Sequence, residues 1–179
     1  MPDVLFNNRY RISSSRLPCW DYGKSGWYFV TICTQGRHPF FGEIEKGVMQ
    51  LSSLGRIAQQ CWAQIPDHFP NARLDESVIM PDHMHGIIII IGSSDSVETQ
   101  NLASLPITHN TFGTQSRNLA SIIRGYKIGV TKWARSNGHP FFMWQSRYHD
   151  RVIRDESAMD ALREYIRNNP MKSVLNRSV

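Results

Sequence analysis

The segment Trp27-Tyr-Phe-Val-Thr-Ile-Cys-Thr is dense in aromatic and β-branched residues and runs into the breakers Gly36 and Pro39, which predicts a strand. Leu51, Leu54, Ile57, Ala58, Cys61, Trp62 and Ile65 then recur at helical spacing. Ser52 or Ser53 is available as cap and Pro66 as stop, so an amphipathic helix follows. Arg73 to Met80 reads as a second strand. Pro81-Asp82 punctuates a turn before His83-Met-His-Gly and the five consecutive isoleucines Ile87 to Ile91, which predict a central strand covered on both faces. From Gly92 to about Ser116 the chain is polar and without period, as in a long mobile loop. Leu119, Ile122, Ile123, Tyr126, Val130, Trp133 and Ala134 mark another helix. Tyr148 to Ile153 suits a last strand, and Asp155 can cap a closing helix through Ala158, Met159, Leu162 and Ile166, ended by Pro170. The order strand, helix, strand, strand, helix, strand, helix predicts an α+β fold. Its preferred form is a ferredoxin-like sandwich with a mostly antiparallel central sheet and helices packed on one face.

Composition narrows the class. A chain of 179 residues with 41% hydrophobic and 20% charged residues matches one globular domain, 1–179, and no apolar run reaches the roughly 20 residues of a membrane span. The amino terminus has neither the apolar stretch nor the cleavage site of a secretory signal, so a cytoplasmic protein without a membrane partner is expected. Cys19, Cys33 and Cys61 are widely spaced and form no C-x-x-C pair, as expected of ordinary thiols in a reducing compartment. Charge is unevenly spread: residues 1–116 carry 8 basic and 10 acidic side chains, whereas residues 117–179 carry 12 and 5. A concentrated positive half is the footprint of a phosphate-bearing partner, and nucleic acid leads.

Two short motifs could carry chemistry. His83 and His85 are two apart at a strand start, so both imidazoles project from one face and could grip one metal ion; alternatively they simply begin a strand. Tyr165 and Asn169 are four apart on the closing helix and share a face, where they could equally be an edge-of-core aromatic and a helix cap. A tyrosine can attack phosphorus, but it needs a metal or nearby cations to polarise the phosphate. An ion held by His83, His85 and the amide of Asn169, beside Tyr165, is what metal-assisted transesterification of a phosphodiester requires. Oxygen ligands would favour Mg²⁺ or Mn²⁺, while imidazoles shift preference toward Mn²⁺, Co²⁺ or Zn²⁺. Arg124, Lys127, Arg147 and Arg151 are the candidate phosphate contacts. Trp133, Tyr126, Trp144 and Tyr148 could stack on bases but coincide with the core pattern.

At these residues the sequence resembles a known family. His83-Met84-His85 matches the His-hydrophobic-His motif, and Tyr165-Ile-Arg-Asn-Asn-Pro matches the nucleophile helix of single-tyrosine HUH transposases, in particular the REP-associated tyrosine transposases related to the IS200/IS605 group. Further similar blocks are Trp27-Tyr-Phe-Val-Thr-Ile-Cys-Thr-Gln, Met80-Pro-Asp-His-Met-His-Gly, Ser121-Ile-Ile-Arg-Gly-Tyr-Lys and Trp144-Gln-Ser-Arg-Tyr-His-Asp-Arg-Val-Ile-Arg. They stand in the family's order. The resemblance implies a metal-dependent single-stranded DNA endonuclease and strand transferase acting on repeat-palindrome hairpins. Tyr165 would form a 5′-phosphotyrosyl intermediate, His83 and His85 would ligate the divalent ion, and no nucleotide cofactor would be needed. Asn169 stands where related insertion-sequence transposases commonly have a glutamine ligand. Relatives include homodimers that exchange the tyrosine helix as well as members that act alone. The alternative function is a domesticated hairpin-binding protein that does not cut. The resemblance suggests no role for His149 or Asp150.

Overall fold

The computed structural model describes Tyr22, residues 25–92 and residues 118–175, with side chains as far as Met171. The predicted loop at 92–116 lies outside the described residues except for Gly92, as does Cys19. Strand β1 (Gly26–Cys33) leads into a hairpin of β2 (Gly42–Glu45) and β3 (Val48–Leu51). Helix α1 (Ser53–Ala63), the short α2 (Ile65–His68), β4 (Ala72–Met80) and β5 (His83–Ile90) follow, then α3 (Leu119–Ser136), β6 (His149–Ile153) and α4 (Glu156–Leu175). The caps form as read: Ser52 accepts from the Gly55 amide, and Asp155 accepts from the Ala158 amide. Pro66 does more than stop α1, because it occupies the first turn of α2, where its missing N–H costs nothing. Pro170 does not end α4, which continues to Leu175; an interior proline removes one amide donor without obliging the helix to stop. The β2–β3 hairpin has no counterpart in the periodicity reading. Its turn is Lys46-Gly47, both at positive φ (49° and 80°), the conformation that a two-residue hairpin loop requires.

The main sheet has the order β4-β5-β1-β6 and every pairing in it is antiparallel. With the small hairpin set aside, β1-α1-β4-β5-α3-β6 is the ferredoxin-like arrangement, and the isoleucine strand β5 is central as expected. Alternation divides each strand between two faces. Tyr28, Val30, Ile32, Met84 and Ile88 turn toward α1 and α3 and form the large core with Leu54, Trp62, Ile122 and Tyr126. Gly86 belongs to this side, where a Cβ would overlap the Trp62 ring. Beyond the helices expected on one face, α4 covers part of the opposite one, over a smaller cluster of Ile87, Ile153, Met159 and Ile166. Trp133, Trp144 and Tyr148 pack against the large core and Tyr126 is buried in it, so these aromatics serve packing rather than open stacking.

Candidate active site

His83 and His85 leave β5 on the α4 face, because the residues between and after them, Met84 and Gly86, point to the large core. Their Nε2 atoms lie 3.1 Å apart. The other ring nitrogens are occupied. The Nδ1 of His83 is 2.6 Å from a carboxylate oxygen of Asp82, and the Nδ1 of His85 is 2.8 Å from the Thr31 hydroxyl on β1. A carboxylate only accepts, so His83 donates from Nδ1 and, when neutral, presents a lone pair at Nε2. Asp82 is itself held by Arg37, whose Nε is 2.8 Å from its second oxygen, and Arg37 also donates to the Cys33 sulfur. The ring of Phe29 stacks on His85 with centroids 5.3 Å apart.

Burial governs the protonation of the pair. It pushes the pKa of His83 below its ordinary value, against the opposing pull of Asp82. It pushes His85 down to about 3, helped by the neighbouring His83. Both imidazoles are therefore neutral at physiological pH, the state in which they can ligate a metal.

Tyr165 comes from α4, its hydroxyl 3.3 Å from the Nε2 of His85 and its ring edge-on to His85 and Phe29. Two ion pairs flank it one-half turn to either side. Arg163 meets Asp75 through two parallel bonds of 2.9 and 2.6 Å, and Arg167 meets Glu76. The Arg163 guanidinium holds the Asp75 carboxyl below the usual carboxylate range. Asp75 and Glu76 are consecutive, and on a regular strand they would point to opposite faces. A register shift between Leu74 and Ser77 sets both against the single residue Ile87, a bulge that lets both carboxylates reach α4. The tyrosine thus completes the cluster from its own chain.

The pair fits a divalent cation. Two ligands about 2.1 Å from one ion at near right angles are themselves about 3 Å apart, close to the observed spacing of the Nε2 atoms. Each imidazole also has the outer hydrogen bond that ligating histidines usually make. Among the described residues no third His, Cys, Asp or Glu joins them, so further ligands would have to be an amide, phosphate or water. Asn169 is buried one turn beyond Tyr165 on α4.

The four candidate DNA contacts separate. Arg151 lies on β6 opposite Phe29, on the histidine face, and Arg147 lies on the loop before β6. Arg124 and Lys127 belong to α3, on the other side of the sheet, where an open groove of about 830 Å³ is lined by Arg124, Lys127, Lys132 and Arg135 with no acidic residue among its described walls. Lys127 is drawn inward: its Nζ donates to the carbonyls of Gln145 and Arg147, and burial lowers its pKa to about 8. Sequence reading passed over Thr31, Phe29, Arg37, Asp75 and Glu76 as parts of this assembly. Asp82 was legible from its adjacency to His83; Thr31, Phe29, Asp75 and Glu76 become neighbours only through strand register, and Arg37 through the turn after β1.

No family model matches the chain. An uncharacterized protein of Haemophilus influenzae is 42% identical over 162 residues, covering 88% of this chain and 87% of that protein. Among solved structures, a REP-associated tyrosine transposase bound to a REP hairpin aligns with a TM-score of 0.60 at 19% identity, over 90% of this chain and 74% of that one. The chain thus belongs to the family of the Haemophilus influenzae protein, and its fold is that of the REP-associated tyrosine transposase.

Proposed function

We infer that this protein is a transposase-like, metal-dependent endonuclease and strand transferase acting on single-stranded DNA hairpins. The observation that carries the reading is the approach of the Tyr165 hydroxyl to a neutral, oriented histidine pair in which His85 is buried and His83 half-buried. Tyr165 Oη forms a bond to the scissile phosphorus as the bond from phosphorus to the 3′-oxygen breaks. The tyrosine proton is lost to solvent and the departing 3′-oxygen gains one, leaving a 5′-phosphotyrosine and a free 3′-hydroxyl. Attack by another 3′-hydroxyl reverses the step and joins strands without a nucleotide cofactor. His83 and His85, with Asn169 as the amide ligand, would hold the divalent ion, Mg²⁺ or Mn²⁺, which polarises the phosphate. Asp82 and Thr31 keep the two imidazoles aimed, and the ion pairs of Arg163 and Arg167 hold Tyr165 against them. The solved transposase with its REP hairpin supports a hairpin as substrate.

Purified protein is tested with end-labelled single-stranded hairpins from repeats beside its gene, with Mn²⁺ or Mg²⁺. A covalent protein–DNA adduct on a denaturing gel, absent from Tyr165→Phe, is expected. One observation favours a binding-only protein: the basic groove of α3 lies across the sheet from the histidines and offers phosphates a surface separate from the cluster. Tight binding with no adduct under either metal would establish that second reading instead.

A further inference from the structure

Strand β6 brings two more side chains to the histidine face. Thr31 of β1 lies opposite His85 on one side and opposite His149 on the other, and Phe29 lies opposite Ile87 and Arg151. Directly opposed residues of neighbouring strands share a face. Thr31 bonds His85 and Phe29 stacks on it, so His149 and Arg151 project to the same side as the Tyr165 cluster. Each row spans two strand spacings, which sets β6 about 10 Å from β5 across the floor formed by Thr31 and Phe29. Helix α4 rises from the opposite end of β6, where Ile153 meets Met159 and Ile166, and leaves the His149 end open. Both side chains are exposed. Among the described residues no ion pair engages either.

We propose that His149 and Arg151 form a phosphate subsite that holds the DNA backbone beside the phosphodiester facing Tyr165. The ligand's identity rests on the cleavage reading above. The two residues are two apart on an extended strand, about 6.7 Å along it, close to the interval between successive phosphates of a stretched single strand. Arg151 supplies a planar donor fork suited to phosphate oxygens, and His149 supplies a ring N–H. On this face β5 and α4 then carry the imidazoles and the attacking hydroxyl, while β6 fixes the strand's register. A charged edge strand can also serve only to deter pairing with another sheet, and the test separates the two roles.

The full-length protein and its His149→Ala, Arg151→Ala and Arg151→Lys variants are titrated with the same hairpins, each carrying one uncharged methylphosphonate linkage in turn. Wild-type affinity should fall about ten-fold at one or two adjacent linkages. Arg151→Ala should bind the unmodified hairpin about ten-fold more weakly and lose nothing further at one of those linkages, His149→Ala should lose sensitivity at the adjacent one, and Arg151→Lys should regain part of the first. Equal sensitivity of wild type and both alanine variants at every linkage would overturn the subsite. Failure of wild type to form the Tyr165 adduct is a separate result that removes the cleavage reading, while the binding cycle still decides whether these side chains hold phosphate.

Discussion

The two faces of the central sheet use the same strands for different ends. Toward α1 and α3, residues such as Tyr28, Val30, Met84 and Ile88 meet two amphipathic helices and are sealed from water. Toward α4, the apolar contact is confined to the neighbourhood of Ile87 and Ile153, and the helix is held farther along by Arg163 and Arg167 on the bulged strand β4. Such pairs contribute modestly to stability when exposed, yet they fix direction well. The large core carries most of the burial that makes folding favourable, so the smaller face can give its space to the polar cluster of His83, His85, Thr31 and the partly exposed Tyr165. Stability and chemistry are separated by one side-chain alternation.

Substitutions on the α4 face should therefore change chemistry without melting the protein, and those on the other face should do the reverse. Tyr165→Phe is expected to abolish adduct formation, more than a thousand-fold by gel quantification, with an unchanged melting temperature; a large drop in melting temperature would break the distinction. Asp82→Asn weakens the orientation of His83 and should lower divalent-metal affinity about 10- to 100-fold by calorimetry. Gly86→Ala, one residue from His85 but facing Trp62, should cost about 1–3 kcal/mol in denaturant unfolding through overpacking. Its cleavage rate, measured well below the unfolding midpoint, should stay near wild type. Asp75→Ala frees one anchor of α4 and is expected to slow cleavage about ten-fold, as a misplaced nucleophile does, while hairpin affinity holds. Arg124→Ala, across the sheet on α3, should reduce hairpin affinity only a few-fold and flatten the salt dependence of binding by about one unit of slope. It should leave the single-turnover rate at saturation unaltered.

Much of this was legible in the chain. The helical spacing of Leu119 to Ala134 and the isoleucine run are periodic signals that burial enforces over a few residues, and the caps Ser52 and Asp155 are local hydrogen bonds. His83 and His85 had to share a face once they were on a strand, and that is where they stand. The hairpin at Lys46-Gly47 was missed because β2 and β3 are four residues each, too short for a clear alternation. Pro170 misled because a proline signals a helix end only as a tendency. Lys127 looked like a surface cation by charge pattern; packing turned it toward two backbone carbonyls.

By itself the sequence determined the seven main elements, their ferredoxin-like order and the chemical vocabulary of two histidines, one tyrosine and a basic carboxyl-terminal half. Tertiary structure alone decided that Thr31 meets His85 across 54 residues and that Tyr165 meets it across 80. It also decided that a bulge in β4 aims two consecutive carboxylates at α4 and that the α3 cations lie on the other side of the sheet. The reason is range: periodicity, caps and turns act between residues a few positions apart, whereas these contacts depend on which strand edges pair and which face each helix closes.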